Sequence, residues 1–227
     1  MSDARVVTID GPSGSGKGTI SRAVARRVHW HLLDSGALYR LVALAGLERG
    51  LKPDDISGHN ELASSMEISF GTRADGGEQV TLFGRDVTSD VRSEVAGQGA
   101  SRVAAWPGVR TALLGRQRAF CRPPGLVADG RDMGTVVFPA AALKIFLTAT
   151  PAERALRRHK QLKDKGSDVS LPALSREIAE RDLRDSTRKA SPLKAAPDAH
   201  VIDSTELAID AVVDRVLELG RNRSLWS

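Results

Sequence analysis

The segment Gly11-Pro12-Ser13-Gly14-Ser15-Gly16-Lys17-Gly18-Thr19 carries the spacing G-x-x-x-x-G-K. It lies between a short β-branched run, Arg5–Asp10, and a stretch in which Ile20, Val24 and Val28 have helical spacing. Backbone N–H groups and a helix N-terminus placed in this way surround anionic phosphate oxygens, and Lys17 supplies a mobile charge for terminal phosphates. A glycine turn ending a strand would explain Gly11 or Gly14 alone. Three glycines and the lysine in a strand-to-helix context favour nucleotide binding. The position after the lysine, usually Ser or Thr, is Gly18, with Thr19 one further on, so no metal ligand is assigned from this loop.

Other polar groups have two readings each. Asp34-Ser35-Gly36 follows a strand-like run near Trp30–Leu33, and Tyr39 and Arg40 come one helical turn later, so their hydroxyl and guanidinium groups share a face. Taken alone, Ser35 or Asp34 is an ordinary helix cap with Arg40 in solvent. Pro107 permits a helix start that puts Arg110 in the following turn. Arg110 is either a surface arginine or a bidentate fork for phosphate, a geometry that suits guanidinium better than ammonium. Asp129 ends an apolar strand, where it organises Mg²⁺ and its waters or caps the turn at Gly130. Arg154, Arg157, Arg158 and the Arg181–Arg188 group flank a polar loop at Lys163–Pro172. They form either a solvated helix pair with charge pairs such as Glu177–Arg181 or a face for phosphate. Arg184 and Arg188, as i,i+4 like charges, would repel each other without an anion nearby.

The elements that must position these groups follow from the apolar pattern. Besides Arg5–Asp10 and the run near Trp30, Gly125–Ala128, Leu143–Thr148 and His200–Asp203 are buried-strand candidates. About five strands separated by helical stretches make a parallel sheet with helices on both faces. A final helix is expected from Ser204–Thr205, with Ile209, Val212, Val213, Val216 and Leu219 as its core stripe. Between Met66 and Val87 the alternation of Met66, Ile68 and Phe70, a turn at Asp75-Gly76-Gly77 and the run Val80–Phe83 indicate a small antiparallel insertion.

Composition bounds the rest. A chain of 227 residues with 41% hydrophobic content buries a core of its own. No run approaches the ~20 apolar residues of a membrane span, and Met1–Arg5 leads directly into a strand rather than a signal core, so a soluble cytoplasmic protein is expected. The single Cys121 excludes an internal disulfide and a thiolate metal cluster, and reads as a small packed side chain. From Glu153 to Lys194 twelve Lys/Arg face seven Asp/Glu, an excess equal to the net charge of +5 of the whole chain. Positive charge this local, in a stretch with no aromatic residue, argues against a stacking platform for single-stranded nucleic acid.

Four blocks in order resemble bacterial cytidylate kinases, members of the nucleoside monophosphate kinases: Ile9–Gly18, Asp34-Ser-Gly-Ala-Leu-Tyr-Arg40, Asp129-Gly-Arg-Asp-Met-Gly-Thr135 and Arg181-Asp-Leu-Arg-Asp-Ser-Thr-Arg188. The resemblance implies a three-layer α/β P-loop fold with a small antiparallel β insertion and a helical lid. It divides the chain into a core (1–33, 103–152 and 189–227), an acceptor-binding part (34–102) and a lid (153–188). It implies transfer of the γ-phosphoryl group of ATP to CMP or dCMP with Mg²⁺ as cofactor, by a monomer. ATP would sit on Gly11, Pro12, Ser13, Gly14, Ser15, Gly16, Lys17, Gly18 and Thr19, with Arg157. Ser35, Tyr39, Arg40, Ser101, Arg110, Arg131, Asp132, Arg181, Asp185 and Arg188 would bind CMP, with Asp132 and Ser101 at the cytosine edge. Lys17, Arg131, Arg181 and Arg188 would be the catalytic charges. Chemistry supports Asp132, since cytosine offers an amine donor where uracil offers a carbonyl.

Three rivals are distinguishable. A kinase for UMP, AMP or a non-nucleotide alcohol differs in its acceptor profile. A switch-type nucleotide binder is expected to carry Ser or Thr directly after Lys17, where Gly18 stands. A basic nucleic-acid binder loses affinity steeply with salt.

Overall fold

The computed structural model describes residues 5–73, 77–164, 166 and 168–227. Contacts divide the chain into two compact units, one of residues 1–34 with 117–227 and one of residues 35–116.

The first unit is built on strand β1 (Arg5–Asp10), helix α1 (Lys17–Val28) and strand β2 (His31–Asp34). In the second unit come α2 (Ser35–Glu48), α3 (Ile56–Ser65), β3 (Ile68–Thr72), β4 (Glu78–Leu82), β5 (Arg85–Asp86), α4 (Glu94–Val103) and the beginning of α5 (Pro107–Ala119). The chain then completes the first unit with β6 (Gly125–Gly130), β7 (Leu143–Thr148), α6 (Pro151–Lys163), α7 (Leu171–Thr187), β8 (His200–Asp203) and α8 (Ile209–Arg221). This is the three-layer α/β P-loop architecture expected from the sequence.

All five strands of the main sheet run parallel in the order β2-β6-β1-β7-β8. Strand β1 is therefore central, and the chain leaves it for the β2 side while β7 and β8 fill the other side. Open α/β sheets bind ligands outside the carboxyl ends of the strands at such a reversal. The register places Asp34 opposite Asp129 and Asp10 opposite Gly130, so three carboxylates end adjacent strands at one edge.

Side-chain alternation along β1 gives each face its task. Val7 and Ile9 enter the core with Ile20 and Val24 of α1, Val127 of β6, Ile145 and Leu147 of β7, and Val212, Val213 and Val216 of α8. Thr8 and Asp10 point to the opposite face, toward a π-helical turn at Met133–Val137. At the chain's end, Trp226 packs edge-on against Trp30 with ring centroids 5.2 Å apart and donates from Nε1 to the Leu217 carbonyl.

In the second unit, α2 packs on α4 and α3, and β3-β4-β5 forms the expected antiparallel sheet, with Phe83-Gly84 as a two-residue hairpin turn. Of the turn proposed at Asp75-Gly76-Gly77, Asp75 and Gly76 lie outside the described residues, as do Lys165 and Ser167 of the polar loop. No helix among the described residues is long and apolar enough to cross a membrane.

The last helix departs from expectation. It begins at Ile209, because Asp203 Oδ1 accepts from the Thr205 N–H and hydroxyl and holds Ser204–Thr205 in a turn. Ile209, placed in the core stripe by the sequence, is 55% exposed at the helix start, and the buried stripe is Val212, Val213, Val216 and Leu217, with Leu219 partly buried.

Ile9 is the fully buried residue of β1 that precedes Asp10. Ile9→Ala should lower the unfolding free energy by about 3 kcal/mol in urea titration, through lost burial and the cavity left; a loss below about 1 kcal/mol would mean that this strand is not the centre of the core.

Candidate active site

The glycine loop occupies the carboxyl end of β1 and opens into the N-terminus of α1. Gly14 has φ +78°, and a Cβ there would lie 3.0 Å from Cβ of Arg154, so the loop closes down on α6 at a point where only glycine fits. Two arginines of α6 hold the loop from behind. Arg154, almost fully buried, donates to the Ser13 carbonyl (3.1 Å), to the Ala149 carbonyl (3.0 Å) and through both terminal nitrogens to Asp182 of α7. Arg157 pairs with Glu153 and donates to the Ser204 hydroxyl and carbonyl, and at 3.5 Å to the Ser15 carbonyl. Ser204, in turn, donates to the Ser15 and Thr148 carbonyls. These bonds fix the Ser13 and Ser15 carbonyls of the loop from the side of α6.

Lys17 folds over the loop and donates to the Pro12 carbonyl at 3.1 Å. Burial, and then Arg131, push its pKa well below the usual lysine value, while Asp129 and Asp34 pull it back. Asp129 answers this: burial raises its carboxyl, Lys17 lowers it, and Asp34 raises it again. A Cβ on Gly18 would stand 3.1 Å from Asp129 Oδ2, which gives a physical reason for glycine where a hydroxyl residue is usual. Oδ1 of Asp129 is buried with no hydrogen-bond partner, and Thr19 is exposed on α1. Among the described residues no group of three or more His, Cys, Asp or Glu side chains is placed to hold a metal ion. A hydrated Mg²⁺ carried by nucleotide phosphates needs one or two carboxylates rather than a protein cage, and Asp129 fits that requirement.

Three of the sequence-selected arginines of the first unit, Arg131, Arg181 and Arg188, come together around Asp185. Arg131 Nε donates to Asp185 Oδ2 at 2.9 Å, and Arg188 lies 4.0 Å from Asp185 Oδ1. Burial alone would raise the Asp185 pKa, but Arg131, Arg181 and Arg188 together hold it below the ordinary value. The pair Arg184 and Arg188 does not lie on one continuous helix face. Helix α7 ends at Thr187, Arg188 turns inward with its Nε on the Ser191 carbonyl, and Arg184 stays exposed. The nearby anion is Asp185 of the chain itself. Asp132 is buried at the start of the Met133–Val137 turn.

In the second unit, Ser35 is buried at the start of α2, and Arg40 donates to the Val91 and Ser93 carbonyls at 3.3 and 3.2 Å. The Arg110 guanidinium lies 5.6 Å over the Tyr39 ring and donates to the Ala104 carbonyl, so these two residues form one cation–π pair. Ser101 is buried on α4, with its Oγ lacking a hydrogen-bond partner.

Sequence reasoning gave Asp10, Asp182 and Ser204 no role of their own, and read Arg154 as a solvated or phosphate-facing charge where the structure turns it onto the Ser13 carbonyl and Asp182. Asp10 accepts from the Met133 and Gly134 N–H groups, both at 2.8 Å, and burial pushes its carboxyl up to about 7 against the pull of those bonds. An acidic residue closing an apolar strand, the pattern noted at Asp129, was the available signal for Asp10. Nothing local marks Arg154 or Ser204, whose partners lie 141 and 189 residues away.

Comparison with known proteins follows the same lines. The family model described as cytidylate kinase matches residues 7–222. The chain is 56% identical over 213 residues to a cytidylate kinase of Azotobacter vinelandii, covering 93% of each chain. It is 56% identical to a cytidylate kinase of Shewanella denitrificans, covering 94% of each. A solved structure of an uncharacterized protein from Eubacterium ventriosum shares the fold, with a TM-score of 0.50 at 10% identity over 95% of this chain and 97% of that one.

Arg154→Ala removes one side of a buried ion pair and both carbonyl contacts. It should lower the unfolding free energy by about 3 kcal/mol in chemical denaturation; a loss under about 1 kcal/mol, the range of a surface pair, would show that the lattice behind the loop does not depend on it.

Proposed function

The chain belongs to the cytidylate kinase family, and we infer that it transfers the γ-phosphoryl group of ATP to CMP or dCMP, giving ADP and CDP or dCDP. The observation that carries the residue roles is the convergence of Lys17 and the guanidinium groups of Arg131 and Arg181, with Asp185 and Arg188, in one unit at the carboxyl edge of the sheet.

The loop Gly11–Thr19 would bind the phosphates of ATP through its N–H groups and the α1 N-terminus. Lys17 would bridge the terminal phosphates, its ammonium restored to full charge by the anion. Arg131, Arg181 and Arg188 would neutralise the equatorial oxygens of the transferring group, a task for fixed charges rather than for a covalent intermediate. The CMP phosphate is already ionised near neutral pH and attacks in line, so no general base is assigned. Mg²⁺, bound with ATP, would neutralise phosphate charge, and Asp129 is the residue that would hold it through its waters.

Ser35, Tyr39, Arg40, Ser101 and Arg110, with Asp132 and Asp185, are proposed as CMP contacts, and Arg157 as an ATP contact. Asp132 would accept from the cytosine amine and repel the carbonyl that uracil presents in its place. Residues 34–102 and 153–188 keep their proposed roles as acceptor-binding part and lid. A monomer in the cytoplasm is proposed, with light scattering after gel filtration as the check on the first.

ADP release with ATP–Mg²⁺ should depend on added CMP or dCMP. Release independent of acceptor would sink the kinase reading. Lys17→Ala should reduce kcat by roughly 10²–10³-fold, the scale of one lost transition-state donor. Asp132→Asn should lower the preference for CMP over UMP, measured as the ratio of kcat/KM values, by roughly tenfold or more; an unchanged ratio would remove Asp132 from the base pocket.

A further inference from the structure

The first two N–H groups of the turn that follows Asp132 are held from another strand. Asp132 occupies the position before the π-helical turn at Met133–Val137, where an aspartate ordinarily caps the following N–H groups with its own carboxylate. It makes no such capping bond. The N–H donors of Met133 and Gly134 go to Asp10 instead, one to each carboxylate oxygen and both at 2.8 Å, across 123 and 124 residues of sequence. Asp10 is buried at the carboxyl end of the central strand, so this clamp has a rigid base. The floor beneath the turn is equally close: a Cβ on Gly134 would lie 2.8 Å from Thr8 Oγ1 and 3.2 Å from the Lys144 stem. On the far side of the turn, the Val136 and Val137 N–H groups both return to the Asp132 carbonyl, which fixes the Asp132 backbone from ahead as Asp10 fixes it from below.

We propose that Asp10 is a positioning residue for acceptor choice: it caps the 133–134 turn from the neighbouring strand and so sets where Asp132 presents its carboxylate to the base. This rests on the reading of Asp132 as the group that meets the cytosine amine. A carboxylate is required at position 10 because both of its oxygens accept, whereas an asparagine would aim its NH₂ at one of the two N–H donors. Asp10 touches neither substrate in this arrangement, and it acts through the backbone of the turn.

The test compares Asp10→Asn, Asp132→Asn and the double variant in the full-length enzyme, with CMP and UMP as acceptors and thermal unfolding run alongside. Asp10→Asn should raise KM for CMP roughly tenfold, the scale of one lost charge-assisted hydrogen bond. It should lower the CMP-to-UMP ratio of kcat/KM while KM for ATP stays unchanged. A general loosening would instead raise KM for ATP, because Gly11 of the phosphate loop is the next residue, and that result overturns the proposal. The double variant should discriminate no worse than Asp132→Asn alone, since both changes act on one contact; additive losses overturn the proposal. If Asp132→Asn lowers the ratio and Asp10→Asn does not, the base-reading role stands and the role of Asp10 is wrong. If neither lowers it, both fall. Should Asp10→Asn fail to fold, Gly134→Ala lifts the same turn from its floor and must reproduce the loss of discrimination; an unchanged ratio there overturns the proposal.

Discussion

A buried ammonium requires counter-charge, and Lys17 finds it at the edge of the sheet. Parallel strands all end on the same side, so Asp10, Asp34 and Asp129 are delivered to one place by β1, β2 and β6. Three carboxylates so close would repel one another out of the core without cations among them. Lys17 lies near Asp129 and Asp34, with Arg131 and Arg181 near enough to lower its own pKa, while Asp10 is held by the Met133 and Gly134 N–H groups. Neither set of charges is stable there without the other. Gly18 belongs to the same constraint, since a side chain at that position would crowd the Asp129 carboxylate.

A phosphate loop binds through its N–H groups, and in this structure side chains occupy three of the loop's carbonyls. Arg154 takes the Ser13 carbonyl, Ser204 and Arg157 take that of Ser15, and Lys17 takes that of Pro12. The same Arg154 pairs with Asp182 on α7, the helix that also carries Arg181 and Asp185. Loop shape and the placing of the arginine cluster are thus linked through one side chain. Asp185 serves as an internal anion that keeps Arg131, Arg181 and Arg188 gathered against their mutual repulsion. On the proposed roles, a phosphate would meet guanidinium groups already collected, which lowers the ordering cost of binding.

Much of this was legible in the residues. The five strands, their parallel pairing and the antiparallel insertion followed from runs such as Leu143–Thr148 and from the alternation at Met66, Ile68 and Phe70, because burial on two faces or on one leaves different periods. The loop and Lys17 followed from spacing. The N-terminal limit of α8 did not, because Ser204 and Thr205 read as a helix start, whereas the Asp203 side chain holds them in a turn and the helix begins only at Ile209. The like-charge reading of Arg184 and Arg188 assumed a continuous helix, whereas the chain leaves the helix at Arg188, and the anion beside Arg188 is Asp185.

Local patterns report what a residue can do with neighbours a few positions away, so strands, phosphate loop and family could be read from the chain alone. The choice among partners that are equally available in sequence could not. Arg154 and Arg158 look alike on one helix, yet the first is buried against Ser13 and Asp182 while the second pairs with Gln161 at the surface. Asp10 and Asp129 both close apolar strands, yet one clamps a distant turn and the other keeps a buried oxygen without a hydrogen-bond partner. Those assignments depend on strand order and on which face each side chain takes. Both are settled only when non-local pairing is complete, and tertiary packing alone decides them.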